Sequence, residues 1–155
     1  MIRKIIYTRP DGGLSVVHPV RNTIGEVDGI TDAEIEQRAW DKLPADAINP
    51  QFVDPAVIPT DRTYRDAWQH DVGNTVTHHM GKARAQHREK IRALRKPKFE
   101  KFDADYMKAL EDNDTATMAT IKNKRQQLRD APQHPAIDAA TTIEELKAAI
   151  PPILQ

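Results

Sequence analysis

The sequence predicts an α+β fold: a small N-terminal β-hairpin and αβ part, then an antiparallel α-helical hairpin and a short C-terminal helix. Three observations predict it. Up to about residue 79, short β-branched runs alternate with glycine and proline punctuation. From Met80 onward, a gap-free helix-forming stretch carries apolar residues at spacings of three and four. Two Thr-x-x-Glu signatures, Thr31 with Glu34 and Thr142 with Glu145, mark helix starts. The expected organisation is residues 1–79 as a small α+β domain, 80–131 as the helical hairpin, and 132–155 as a C-terminal tail with a short helix.

The runs Ile2 to Tyr7 and Leu14 to His18 flank Arg9, Pro10, Asp11, Gly12 and Gly13. This is a hairpin pattern, because Pro presets φ at the first turn position, Asp bonds the backbone locally, and Gly supplies the φ > 0 position of a bulged loop. A helix follows at Thr31, where Thr31 and Glu34 form a capping box and Ile30 is placed to staple onto Ile35. Ile35, Ala39 and Leu43 keep helical spacing until Pro44 ends the element. Residues 44–61 carry Pro44, Pro50, Pro55 and Pro59, four of the chain's 11 prolines, around the apolar pieces Phe52–Val53 and Val57–Ile58. Proline donates no ladder hydrogen bond, so edge strands and turns are expected there. Pro59 to Asp61 opens a short helical turn over Arg62 to Trp68, and Asn74 to Thr77 adds one more strand.

In the second half, Met80, Ala83 or Arg84, His87, Ile91 and Leu94 share one helical face, which Phe99, Phe102, Tyr106 and Leu110 extend. Pro97 lies between the two sets, so the helix either kinks or restarts, and a kink is the favoured outcome. Asp112, Asn113 and Asp114 make the turn, with Asp114 capping a returning helix whose inner face is Met118, Ile121 and Leu128. That helix stops near Asp130 to Pro132. The last helix starts at Thr142 and ends at Pro151 and Pro152.

Composition narrows the function classes. The 155 residues suit one domain, or one small domain with a helical extension; at 5% aromatic and 30% charged residues the core is modest. Lys+Arg and Asp+Glu both count 23, so the formal net charge is zero and no overall field draws the chain to polyanions. With no cysteine, disulfides, thiolate metal sites and a cysteine nucleophile are excluded. No apolar run approaches the roughly 20 residues that a membrane span needs, so a soluble protein made in the cytoplasm is expected.

Among residues able to carry chemistry, His78, His79 and His87 invite a metal reading. Adjacent histidines on a strand point to opposite faces, however, and no second His at i+4 or paired carboxylate supports them. Asp11, Gly12 and Gly13 read as turn punctuation, since a nucleotide loop leads from a strand through several glycines into a helix. No Gly-x-Ser-x-Gly, His-Glu-x-x-His or selected acid pair occurs, so no enzymatic activity and no cofactor are expected. Between Lys82 and Lys101, nine basic residues stand against Glu89 and Glu100, a local +7. Such a helix could track phosphates, but it lacks stacking aromatics before Phe99 and leaves the apolar stripe clear, as a solvated face does. Acidic residues near the turn, including Asp103, Asp105 and Glu111, offer a counter-charged zone for a neighbouring copy.

The runs Pro59 to Trp68, Lys82 to Arg84, Ile91 to Arg95, Asp105 to Leu110 and Gln127 to Asp130 resemble small tailed-bacteriophage proteins found with tail-fibre genes, both tail-fibre assembly proteins and virion tail accessory proteins. The similarity spans about residues 59–150; Tyr7 to Gly13 fits the same group more loosely. The resemblance implies a protein without enzymatic activity, made in the host bacterial cytoplasm, that ends in the virion and contacts phage tail or tail-fibre proteins and further copies of itself. Three functions compete: a virion structural component at the fibre, nozzle or baseplate, a tail-fibre assembly chaperone that leaves, and a nucleic-acid-binding accessory protein. The ending Ala148 to Pro152 departs from the Trp-Pro ending common in assembly proteins, which favours the retained component.

The expected partner-binding residues are Arg62, Tyr64, Arg65 and Trp68, because Trp, Tyr and Arg dominate interface hot spots and here share one short element. Arg88, Arg92 and Arg95 on the basic helix join them, acting by protein contact and not by gripping DNA or RNA. The competing reading makes Trp68 a plug at the joint between the β part and the helical hairpin.

Overall fold

The computed structural model describes residues 1–21, 29–70 and 73–155. Contacts divide the chain into two compact units, Met1–His79 and Met80–Gln155.

In the first unit, β1 (Lys4–Thr8) pairs antiparallel with β2 (Leu14–Val17) on one side and β3 (Ile48–Val53) on the other, giving the order β2-β1-β3. The hairpin loop works as its residues predict. Asp11 accepts from the Gly13 N–H at 2.8 Å, and Gly12 takes φ 74°, a conformation that side chains other than Gly avoid. Pro50 is tolerated because β3 is an edge strand, and the register slips between Ile6 and Thr8, beside Asn49 at φ 48°.

Helix α1 (Asp32–Trp40) starts at the predicted capping box: the Thr31 hydroxyl accepts from the Glu34 N–H, and the Glu34 carboxylate accepts from the Thr31 N–H. The bonds that the Glu34 carboxylate accepts from the Thr31 N–H and the Thr31 hydroxyl hold its pKa below the ordinary value. The helix covers the Ile5/Phe52 face of the sheet: Trp40 stacks on Phe52 with ring centroids 4.7 Å apart, and Glu36 binds Arg3. On the other face lies the main core cluster, Ile6, Leu14, Val53 and Trp68.

The edge strand and turns expected over 44–61 form, while one neighbouring expectation changes. Val57 closes a 3-10 turn, Pro55–Val57, in which Asp54 caps the Ala56 N–H and Pro55 occupies a first-turn position where its missing N–H costs nothing. The helical turn expected over Arg62 to Trp68 shrinks to a 3-10 turn, Arg65–Ala67. Trp68 instead begins β4 (Trp68–His70), paired antiparallel with β5 (Val76–His78), because pairing and burial of the indole outweigh the local helical pattern.

In the second unit, α2 (Met80–Glu111) runs continuously through Pro97, so the break-and-restart alternative does not occur. It ends in a Schellman arrangement: Asn113 sits at φ 56°, its N–H bonds Leu110 O, and the Asp114 N–H bonds Ala109 O at 2.8 Å. Asp114 then caps α3 (Thr115–Asp130), accepting from the Thr117 N–H and hydroxyl. The two helices are antiparallel, as the pairs Asp103 with Arg125 and Arg95 with Leu128 require.

Ile121 and Leu128 are buried on the inner face of α3, as expected, and cation–π contacts line the seam beside them. Lys122 and Arg125 lie over Tyr106 at 6.0 and 5.8 Å, and Lys124 lies over Phe102 at 5.7 Å. The inner face of α2 also drifts from the predicted stripe. Ala83, His87, Ile91 and Ala109 are buried, whereas Leu94 and Leu110 are 51% and 47% exposed. Arg95 takes the place expected for Leu94, because four-residue steps from Ile91 keep the face toward α3, and small Ala109 replaces Leu110 near the tip.

Residues 132–155 are not a separate tail. A 3-10 turn (Ala131–Gln133), α4 (Pro135–Ala139), α5 (Ile143–Ala148) and a final 3-10 turn (Pro152–Leu154) bury Ile137, Ala140, Leu146 and Ala149 within the second unit. The second capping box forms as predicted at Thr142 and Glu145, while α4 was not legible in the sequence.

Candidate functional site

Of the four residues predicted as a contact on 62–68, two face outward and two do not. Tyr64 and Trp68 are 2% and 1% exposed, so neither is available to a partner in this fold. Burial raises the Tyr64 hydroxyl above its ordinary pKa, with the Asp61 charge adding to it. Trp68 packs on Ile6, Leu14 and Val53, and its indole N–H donates to His78 Nε2 at 3.0 Å. It is a core residue of the first unit. Arg62 and Arg65 are exposed, and the Arg62 guanidinium lies 5.9 Å from the Trp68 ring centroid.

The basic helix is likewise turned to internal use. Arg88 donates to Pro132 O at 3.2 Å and pairs with Asp138 on α4. Arg95 donates to the carbonyls of Leu128 and Arg129 at 3.2 and 3.1 Å, where α3 ends and its last carbonyls have no helical partner. Arg84 reaches Ala140 O at 2.8 Å, and Lys98 reaches Ile153 O at 3.0 Å; sequence reasoning singled out neither as an anchor. Among the described residues, Arg92 pairs along its own helix, with Glu89. The expectation of a solvated basic face is therefore corrected: side chains along α2 hold the C-terminal segment by its carbonyls. Asp103, Asp105 and Asp114 near the tip are also engaged, with Arg125, Lys101 and Thr117.

The histidines are placed apart. His78 accepts from Trp68 in the first unit, and His87, 4% exposed, bonds Ala149 O at 3.0 Å in the second. Among the described residues, no group of three His, Cys, Asp or Glu side chains converges as a metal site.

A surface that the sequence did not reveal gathers around His18. Cross-strand pairing of Ile5 with Val17 puts Lys4 of β1 beside His18, the residue just after β2, and Arg62 and Arg65 leave one turn, linked by an Arg65 N–H to Arg62 O bond of 3.1 Å. Partial burial, then the positive charges of Lys4, Arg62 and Arg65, hold the His18 pKa below its ordinary value. Sequence reasoning reached Arg62 and Arg65 but not Lys4 or His18, which lie more than 40 residues before them and which the β1–β2 register sets side by side.

The zero net charge conceals an asymmetry. Residues 1–79 contain eight basic and twelve acidic side chains, net −4, and residues 80–155 fifteen basic and eleven acidic, net +4. No family model, curated protein or solved structure matches this chain.

Proposed function

We propose that the chain is a structural protein of a tailed-bacteriophage virion, associated with the fibre, nozzle or baseplate and acting through protein–protein contacts. One observation supports contact over nucleic-acid binding: the most basic helix directs Arg84, Arg88, Arg95 and Lys98 onto backbone carbonyls of its own unit. A helix that tracks phosphates keeps such groups for the polyanion; here they brace a compact body. No helix among the described residues is long and apolar enough to cross a membrane.

Mass spectrometry of purified particles of the encoding phage tests the proposal. The chain is expected as a stoichiometric component, with particles lacking it showing tail or fibre defects. Absence from normal particles together with misassembled fibres in its absence would replace this reading with the assembly chaperone. Tight duplex binding near physiological salt, with a steep salt slope, would replace it with the nucleic-acid-binding accessory protein.

A further inference from the structure

We infer that Lys4, His18, Arg62 and Arg65 form a docking surface for an acidic segment of a partner protein, one that presents neighbouring carboxylates. The inference rests on the reading that the chain works by protein contact, and it adds where the contact lies and which chemistry it selects.

The geometry places Lys4, His18 and Arg62 on one face, and Arg65 follows Arg62 in the same turn, near enough for its charge to act on His18. Side chains alternate along strands, so Lys4 shares the face of Ile6, and His18 that of Val16 and Leu14. Trp68 packs on this same face and carries the Arg62 guanidinium above its ring. His18, Arg62 and Arg65 are exposed, and Lys4 is half-buried.

Among the described residues, the cations Lys4, Arg62 and Arg65 form no ion pair of their own, although Asp61 and Asp66 are sequence neighbours of the arginines. In the same unit Arg3 pairs with Glu36, Arg9 with Asp11 and Arg21 with Asp32. The nearby Asp61 carboxylate instead accepts from the Thr63 N–H and hydroxyl at 2.9 and 2.6 Å. Gathering like charges costs free energy, and an external anion relieves it. Partial burial first, and then the charges of Lys4, Arg62 and Arg65, lower the His18 pKa, so an anion seated on the cluster would move it back up.

The surrounding charge selects the class of anion. Residues 1–79 are net −4, so an extended polyanion meets repulsion once it leaves the patch, whereas a short acidic segment stays within about one Debye length, roughly 10 Å, of the four cations. The planar guanidiniums of Arg62 and Arg65 suit bidentate carboxylate contacts.

The test uses the full chain and a short peptide of a few consecutive Glu residues, with the His18 imidazole followed by NMR. Expected are saturable binding that weakens with salt and an upward move of the His18 titration midpoint in the complex. Lys4→Glu combined with Arg65→Glu, neither of which stacks on Trp68, should weaken binding about tenfold or more at an unchanged melting temperature. If that variant melts early, Lys4→Gln with Arg65→Gln replaces it, with weaker binding again expected. Duplex DNA binding as tightly as the peptide, no saturable peptide binding at low salt, or equal binding by a folded variant each overturns the inference. So does self-association of the chain abolished by the same substitutions, which would make a second copy the occupant. A wild-type chain that does not bind the peptide yet enters particles would sink this inference alone; absence from particles would sink the functional reading instead.

Discussion

Trp68 and His78 face each other across the β4–β5 ladder, joined by an indole N–H to Nε2 bond of 3.0 Å and by an edge-on ring contact at 6.4 Å. Indole can only donate, so His78 must present a bare nitrogen and is a neutral acceptor in this pair.

Trp68→Ala is accordingly expected to unfold the first unit rather than merely remove a contact. The cavity left among Ile6, Leu14 and Val53 should cost about 3–5 kcal/mol. His78→Phe keeps the bulk but orphans the buried N–H, at about 1–3 kcal/mol. Denaturation followed by tryptophan emission checks both; a Trp68→Ala protein with unchanged midpoint would contradict the core assignment.

The Arg3–Glu36 clamp gives the first unit an acid sensitivity. Glu36 accepts from the Arg3 guanidinium at 2.7 and 3.0 Å and from the Arg3 N–H at 2.6 Å, which holds its carboxyl below the ordinary range, the side-chain bond being the largest cause. Because the folded pKa is depressed, the stabilisation is fully present above the ordinary glutamate range and is lost as pH falls through the folded value. Wild type should therefore lose stability on acidification more steeply than Glu36→Gln, which starts lower at neutral pH. Parallel melting-against-pH curves for the two proteins would refute this.

Arg88, Arg92 and Arg95 lie on one helix yet should respond differently to truncation. Arg88→Ala and Arg95→Ala release carbonyls of residues 128–132 and, for Arg88, the Asp138 pair, so each should cost about 1–2 kcal/mol and speed amide exchange in the C-terminal segment. Arg92→Ala loses only an exposed pair with Glu89 three residues away and should change stability by no more than about 0.5 kcal/mol. Hydrogen exchange with mass readout separates them, and three equal profiles would contradict the anchoring role.

Pro97 sits inside α2, where it has no N–H for the carbonyl four residues back and crowds that turn. Pro97→Ala should stabilise the second unit by up to about 3 kcal/mol. An unchanged or lower melting temperature would contradict this.

The sequence by itself determined the elements whose causes are local. The capping boxes at Thr31 and Thr142, the Asp11 and Gly12 turn, the Asn113 corner and the Asp114 cap each depend on residues a few positions apart, and all form where their side chains demand. The division near residue 79 was legible for the same reason, since strand-like punctuation gives way there to a helical period. Tertiary structure decided the rest. Only packing set whether Leu94 or Arg95 faces α3, because a 32-residue helix drifts relative to any fixed stripe. Only strand pairing turned Trp68 inward, and only the unpaired carbonyls at the end of α3 and in the segment after it gave the basic side chains of α2 partners within their own unit. Lys4, His18, Arg62 and Arg65 became one surface through the sheet register and the turn carrying Arg62 over Trp68. Charge in a sequence gives the number of cations, whereas which of them find partners depends on groups that folding brings from far along the chain.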